Sequence, residues 1–178
     1  MKLCLCFHCL CESYDDVSGD SRELFVSLDD MRGLIESFLA RGYTFTNLED
    51  PADNTVSITF DDGYANNQLF SKLAEEYKIP FVVFVSAYYP QSGDGFPWMK
   101  TAGQSYDDMY RFDYYSHHAA SGERLDATPD TSPERPMTYE ELAAMNRSDL
   151  MEIGCHGYYH QPLSKEFERY TEPERAQS

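Results

Sequence analysis

The chain has 178 residues, of which 42% are hydrophobic and 25% charged, enough for one globular domain with a real core. Its net charge of −17 argues against a nucleic-acid partner, whose phosphates need Lys and Arg to neutralise them, and against an anionic membrane surface. No stretch approaches the roughly 18 apolar residues of a membrane-crossing helix. The start, MKLCLCFHCLCESYDD, lacks the small-residue cleavage site of a secretion signal, so a cytoplasmic protein is the expectation.

Within that segment KLCLCFH is a candidate first strand. The segment's four cysteines, Cys4, Cys6, Cys9 and Cys11, are too closely spaced and too interleaved with Leu and Phe for a zinc knuckle, and free thiols are expected. SLDDMRGLIESFLARG follows as an amphipathic helix, with Ser27 as N-cap, Leu28, Met31, Leu34, Ile35, Phe38 and Leu39 on one face, and Gly42 as the stop. YTFTN is a short extended piece. TVSITF is a strand that ends at Asp61 and Asp62, and YANNQLFSKLAEEY is predicted helical. PFVVFVS is a continuous apolar run, the pattern of a parallel strand covered on both faces.

Residues 87–137 break this rhythm with Gly, Pro, Asp, Ser and Tyr and form an irregular insertion, within which Trp98 and the Tyr-rich YDDMYRFDYY are candidates for a sugar-stacking wall. His117 and His118 are read as surface residues. TYEELAAM opens a helix, with Thr138 and Glu141 spaced as a capping box, and LMEIGC is a last strand that runs directly into His156. Cys155 is expected to be buried among its strand neighbours. Strands alternating with helices imply a mostly parallel sheet, in which functional groups gather at the carboxyl ends of the strands. Asp61 and Asp62 stand at one such end and His156 at another.

His156 and His160 are four residues apart, which on a helical turn sets both rings on one face. Two imidazoles and one carboxylate make a metal set with positions left open for water and substrate, and a second carboxylate is available as a general base. The same ligand set serves non-haem iron oxygenases, but the strand–helix alternation argues against their double-sheet folds.

With ITFDDGY at one strand end and EIGCHGYYHQPL at another, the sequence resembles the NodB-homology polysaccharide deacetylases, metal-dependent carbohydrate esterases. Thr59 to Gly63 match the family's T-F-D-D-G motif. His156 and His160 match its His-Ser/Thr-x-x-His motif, with Gly157 in the Ser/Thr place and one residue inserted before Pro162. Phe7–His8, the RGY of residues 41–43, KIPFVVFV and MTYEEL extend the resemblance from about residue 3 to about 165, apart from the insertion.

The resemblance implies a partial, distorted (β/α) barrel spanning residues 1–178 as a single, incomplete domain. It implies Asp62, His156 and His160 as ligands of a divalent metal, usually zinc, and Asp61 as the general base. The implied reaction is attack of an activated water on the N-acetyl group of an amino sugar in a polysaccharide or glycan precursor. His8, at the end of the first strand, is a candidate for a supporting role behind these groups. The family's later Arg-x-Pro-Tyr, Asp-Trp and Leu-x-x-His motifs do not follow His160. The resemblance therefore also leaves a second expectation, a shortened and catalytically weak or inactive remnant that binds metal or glycan.

Overall fold

The computed structural model describes residues 1–17, 20–92, 96 and 134–158. The sequence features at Trp98, residues 106–115, His117, His118 and His160 lie outside the described residues, as does most of the 87–137 insertion.

The described strands are β1 (Lys2–Phe7), β2 (Cys9–Cys11), β3 (Phe25–Ser27), β4 (Thr44–Phe45), β5 (Thr55–Phe60), β6 (Phe81–Val85) and β7 (Met151–Cys155). The described α-helices are α1 (Leu28–Ala40), α2 (Phe70–Tyr77), α3 (Tyr88–Ser92) and α4 (Tyr139–Met145). One sheet runs β1-β5-β6-β7, with β4 also paired to β5, and every ladder in it is parallel. This is the α/β architecture of a partial NodB-type (β/α) barrel.

β5 is the axis of the fold, and all six of its residues are buried. Side chains alternate along a strand. Val56, Ile58 and Phe60 join Met31 and Ile35 of α1, Phe70 and Leu73 of α2, and Leu142 and Met145 of α4 in the main core. Thr55, Ser57 and Thr59 take the opposite face, in register with Lys2, Cys4 and Cys6 of β1. The helices thus cover one face with large apolar groups, while the other carries small polar ones. This is why TVSITF is buried throughout yet half polar.

α1 starts where the sequence places it, with the Ser27 hydroxyl accepting from the Asp30 amide at 3.1 Å. The segment after the two acids departs from expectation. Residues Ala65–Leu69 are a 3₁₀ turn, and the α-helix begins only at Phe70. The cause is tertiary. Asn66 and Asn67 are buried, with the Asn66 Oδ1 accepting from the Leu10 amide at 3.1 Å and the Asn67 Nδ2 donating to the His8 carbonyl at 2.7 Å.

The N-terminal strand matches KLCLCFH to within one residue. It breaks at His8, and Cys9–Cys11 leave to pair with Phe25–Ser27 in a separate two-stranded parallel sheet. Beneath it lies a second core of Cys9, Cys11, Val17, Phe25, Tyr64, Tyr89 and Phe96, in which the Tyr64 and Phe96 rings are 4.7 Å apart. All five cysteines are free thiols, and Cys155 is exposed rather than buried because β7 is a rim strand of the described sheet. Among the described residues no helix is long and apolar enough to cross a membrane.

Candidate metal centre

β5 and β7 are both parallel to β6, so their carboxyl ends lie at the same edge of the sheet. Asp61 and Asp62 leave the end of β5, and His156 leaves the end of β7. The chain turns sharply at the acids, with Asp62 at φ +72° and Gly63 at φ +85°. A non-glycine residue with left-handed backbone is costly and persists where its surroundings determine it. Here the Asp61 amide donates to the Phe7 carbonyl at 2.9 Å, the Ser86 amide to the Asp62 carbonyl at 3.4 Å and the Met137 amide to the Gly63 carbonyl at 2.9 Å. Three separate segments, the end of β1, the residue after β6 and the end of the insertion, thus hold the turn.

The Asp62 side chain is buried, and its Oδ1 lies 3.4 Å from Nε2 of His156, whose side chain is 31% exposed. Charge-assisted N–H···O bonds are usually about 2.7–2.9 Å. Two ligand atoms about 2.0–2.1 Å from one tetrahedral ion lie roughly 3.3 Å apart. The observed separation fits a shared cation better than a direct ion pair, and the donors, one carboxylate oxygen and one imidazole nitrogen, suit zinc. Among the described residues no group of three such side chains comes together. The third expected ligand, His160, lies outside them.

His156 is not on a helical turn. Its amide donates to the Val85 carbonyl at 2.9 Å, and the pairing continues past β7, with Ala87 donating to Gly157 and Tyr88 to Tyr158. Gly157 then takes φ +80°. Fixed strand-like backbone, rather than helical spacing, aims the first imidazole.

Asp61 stands half-buried beside Cys6 of β1. Desolvation, then the neighbouring Asp61 carboxylate, push the Cys6 thiol up to about 11, and its Sγ donates to the Phe7 carbonyl at 3.9 Å. Burial above all, with the nearby charge of Asp62 adding, also raises Cys9. His8 contributes its carbonyl, which anchors Asn67 as described, and so helps to fix the segment after the acids.

Sequence reasoning missed the Asn66–Asn67 anchors and Arg135. The Arg135 carbonyl accepts from the Ala65 amide at 2.8 Å, and its guanidinium grips Glu141 through two bonds of 2.7 and 2.6 Å. The capping box at Thr138–Glu141 was legible, but the second use of its carboxylate was not.

The family profile described as polysaccharide deacetylase matches residues 49–178. No curated protein matches the chain. Among solved structures, the de-N-acetylase of Aggregatibacter actinomycetemcomitans superposes with a TM-score of 0.57 at 14% identity, over 87% of this chain and 54% of that one. The deacetylase domain of BpsB from Bordetella bronchiseptica gives a TM-score of 0.47 at 20% identity, over 87% of this chain and 53% of its own. The chain therefore spans about half the length of the solved structures it matches.

Proposed function

The chain belongs to the polysaccharide deacetylase family, and we propose that it is a hydrolase that removes N-acetyl groups from the amino sugars of a polysaccharide or glycan precursor with a bound divalent cation, zinc by the chemistry of its donors. The observation that carries this reading is the 3.4 Å approach of the Asp62 carboxylate to the His156 imidazole at one edge of the sheet.

In this reading Asp62, His156 and His160 hold the cation. When bound, it supplies Lewis-acid polarisation of the acetyl carbonyl and makes a water more acidic. Asp62 is suited to the ligand role because the turn that carries it is anchored on three sides and its side chain is buried. Asp61 stands at the same strand end with more access to solvent. It takes the proton of the attacking water, and its backbone is held in place by the bond to Phe7. Water's oxygen bonds to the acetyl carbon, the C–N bond breaks, and acetate and the amine, its nitrogen having taken up a proton, are the products.

The test is acetate release from N-acetylglucosamine oligomers by the purified chain, before and after chelation and again after zinc is restored. Release that stops with chelator and returns with zinc supports the proposal. Release that chelator leaves unchanged overturns the metal dependence. Stoichiometric zinc uptake with no release from any N-acetylated oligomer replaces hydrolysis with binding.

A further inference from the structure

Residues 135–137 lie antiparallel against residues 63–65, the stretch that directly follows the two acids. Ala65 donates to the Arg135 carbonyl at 2.8 Å, Met137 donates to the Gly63 carbonyl at 2.9 Å, and Tyr64 and Pro136 form the bridge between them. Tyr64, Pro136 and Met137 are all buried. This strap is one of the three supports that keep Asp62 in its left-handed conformation.

The strap is in turn locked by one side-chain fork. Arg135 Nη1 donates to Glu141 Oε2 at 2.7 Å and Nη2 to Oε1 at 2.6 Å, while Nη1 also donates to the Pro136 carbonyl at 2.8 Å. Glu141 belongs to α4, where its Oε2 accepts from the Thr138 amide at 2.8 Å and its own amide donates to the Thr138 hydroxyl at 3.2 Å. A single carboxylate thus closes the helix cap and holds the strap. Both partners are about three-quarters buried, with 24% and 25% of their side chains exposed. Paired, bidentate contacts of this kind fix direction as well as distance. α4 is followed in the chain by β7, the strand that leads to His156.

We propose that Arg135 and Glu141 are positioning residues for the Asp61–Asp62 turn: their fork locks residues 135–137 against residues 63–65 and so sets the direction of both carboxylates. The consequence for a cation rests on the reading of Asp62 and His156 as its ligands. The consequence for the turn does not.

The experiment compares Arg135→Lys and Glu141→Gln with the unmodified chain in zinc affinity and in hydrogen exchange at the Ala65 and Met137 amides. Lys keeps the charge but not the fork. Gln keeps the capping box, which accepts either residue, while losing the ionic grip. Arg32→Lys is the control, because Arg32 pairs with Glu76 at the same 2.6 Å on the surface, away from the turn. Groups that orient metal ligands typically change affinity by about 10–100-fold when lost. Both variants are expected to weaken zinc binding about 10-fold and to speed exchange at Ala65 and Met137, while the control changes neither. Equal zinc affinity with unchanged exchange overturns the proposal. If the unmodified chain takes up no zinc, the cation reading fails, and exchange alone decides: faster in the variants upholds the positioning role, and unchanged rejects it. Arg135→Lys, the milder change, keeps the test open should Glu141→Gln fail to fold.

Discussion

β5 delivers Asp62 from the middle of the sheet, whereas β7 delivers His156 from its rim. Every residue of β5 is buried, and strands pair with it on both sides. In β7 only Met151 is buried, and Ile153 is 45% exposed. The carboxylate comes on a turn held from three directions, and the imidazole on a strand extension that, among the described residues, is paired to the end of β6 and the segment after it. In the proposed cation site the difference would divide the labour: the carboxylate ligand is fixed in advance by the fold, while the imidazole approaches from a looser edge.

The sharpest way to break the comparison is at the acids themselves. Asp62→Asn keeps the shape but not the charge, and zinc affinity is expected to fall at least about 100-fold. Asp61→Asn is expected to leave zinc affinity within a few-fold and to lower kcat by about 10²–10⁴. Titration calorimetry beside steady-state kinetics separates the two roles. Equal losses of affinity in both variants would erase the distinction between ligand and base.

Next in size is the packing behind each end. Phe60, wholly buried and in ring contact with Phe7, Phe70 and Phe81, is expected to cost about 3–5 kcal/mol on truncation to Ala. Ile153→Ala on the rim is expected to cost under about 1 kcal/mol, because the side chain is already half in water. Denaturant titrations of the two variants measure the contrast.

A smaller effect compares the two glycines with left-handed backbone, one at each end. An added Cβ at Gly63, φ +85°, would meet the Val85 side chain at 3.1 Å, whereas at Gly157, φ +80°, nothing lies within 4 Å. Gly157→Ala is expected to cost about 1 kcal/mol from backbone conformation alone, and Gly63→Ala about 2–4 kcal/mol once the contact is added. Similar melting temperatures for the two variants would mean that the Asp62 turn is no more tightly packed than the His156 end.

The smallest effect is one of pH. Glu141 is held down to about 2 from 4.5, chiefly by its hydrogen bonds to Arg135. A depressed carboxyl pKa stabilises the fold above the unfolded value, and that contribution disappears as pH falls from about 4.5 towards about 2. The melting-temperature gap between the unmodified chain and Glu141→Gln is therefore expected to close across that window. A gap that stays constant with pH would show that the ionic grip adds nothing to the strap.

Much of this was legible in the sequence because it is local. The strand TVSITF, the cap at Ser27, the capping box at Thr138 and the juxtaposition of two strand ends all follow from period, cap chemistry and parallel topology. What was not legible is long-range. Asn66 and Asn67 look like ordinary helix residues until their amides are found bonded to Leu10 and His8, more than fifty positions away, and those bonds convert the first turn into 3₁₀ geometry. Cys9–Cys11 is too short to show any period, so its departure to a second sheet leaves no mark in the sequence. Cys155 reads as buried from its neighbours, but burial of a strand depends on what lies beside it. His156 reads as helical from its spacing to His160, while the bonds of residues 156–158 to the end of β6 and the residues after it keep this segment alongside that strand.

In the proposed site Asp62 and His156 share one cation. X-ray absorption spectroscopy of the zinc-loaded chain and of His156→Ala tests it most directly. The account expects one zinc per chain, a shell of nitrogen and oxygen at about 2.0–2.1 Å with imidazole scattering, and a loss of part of that scattering in the variant. A spectrum without imidazole, or one that His156→Ala leaves unchanged, would contradict it.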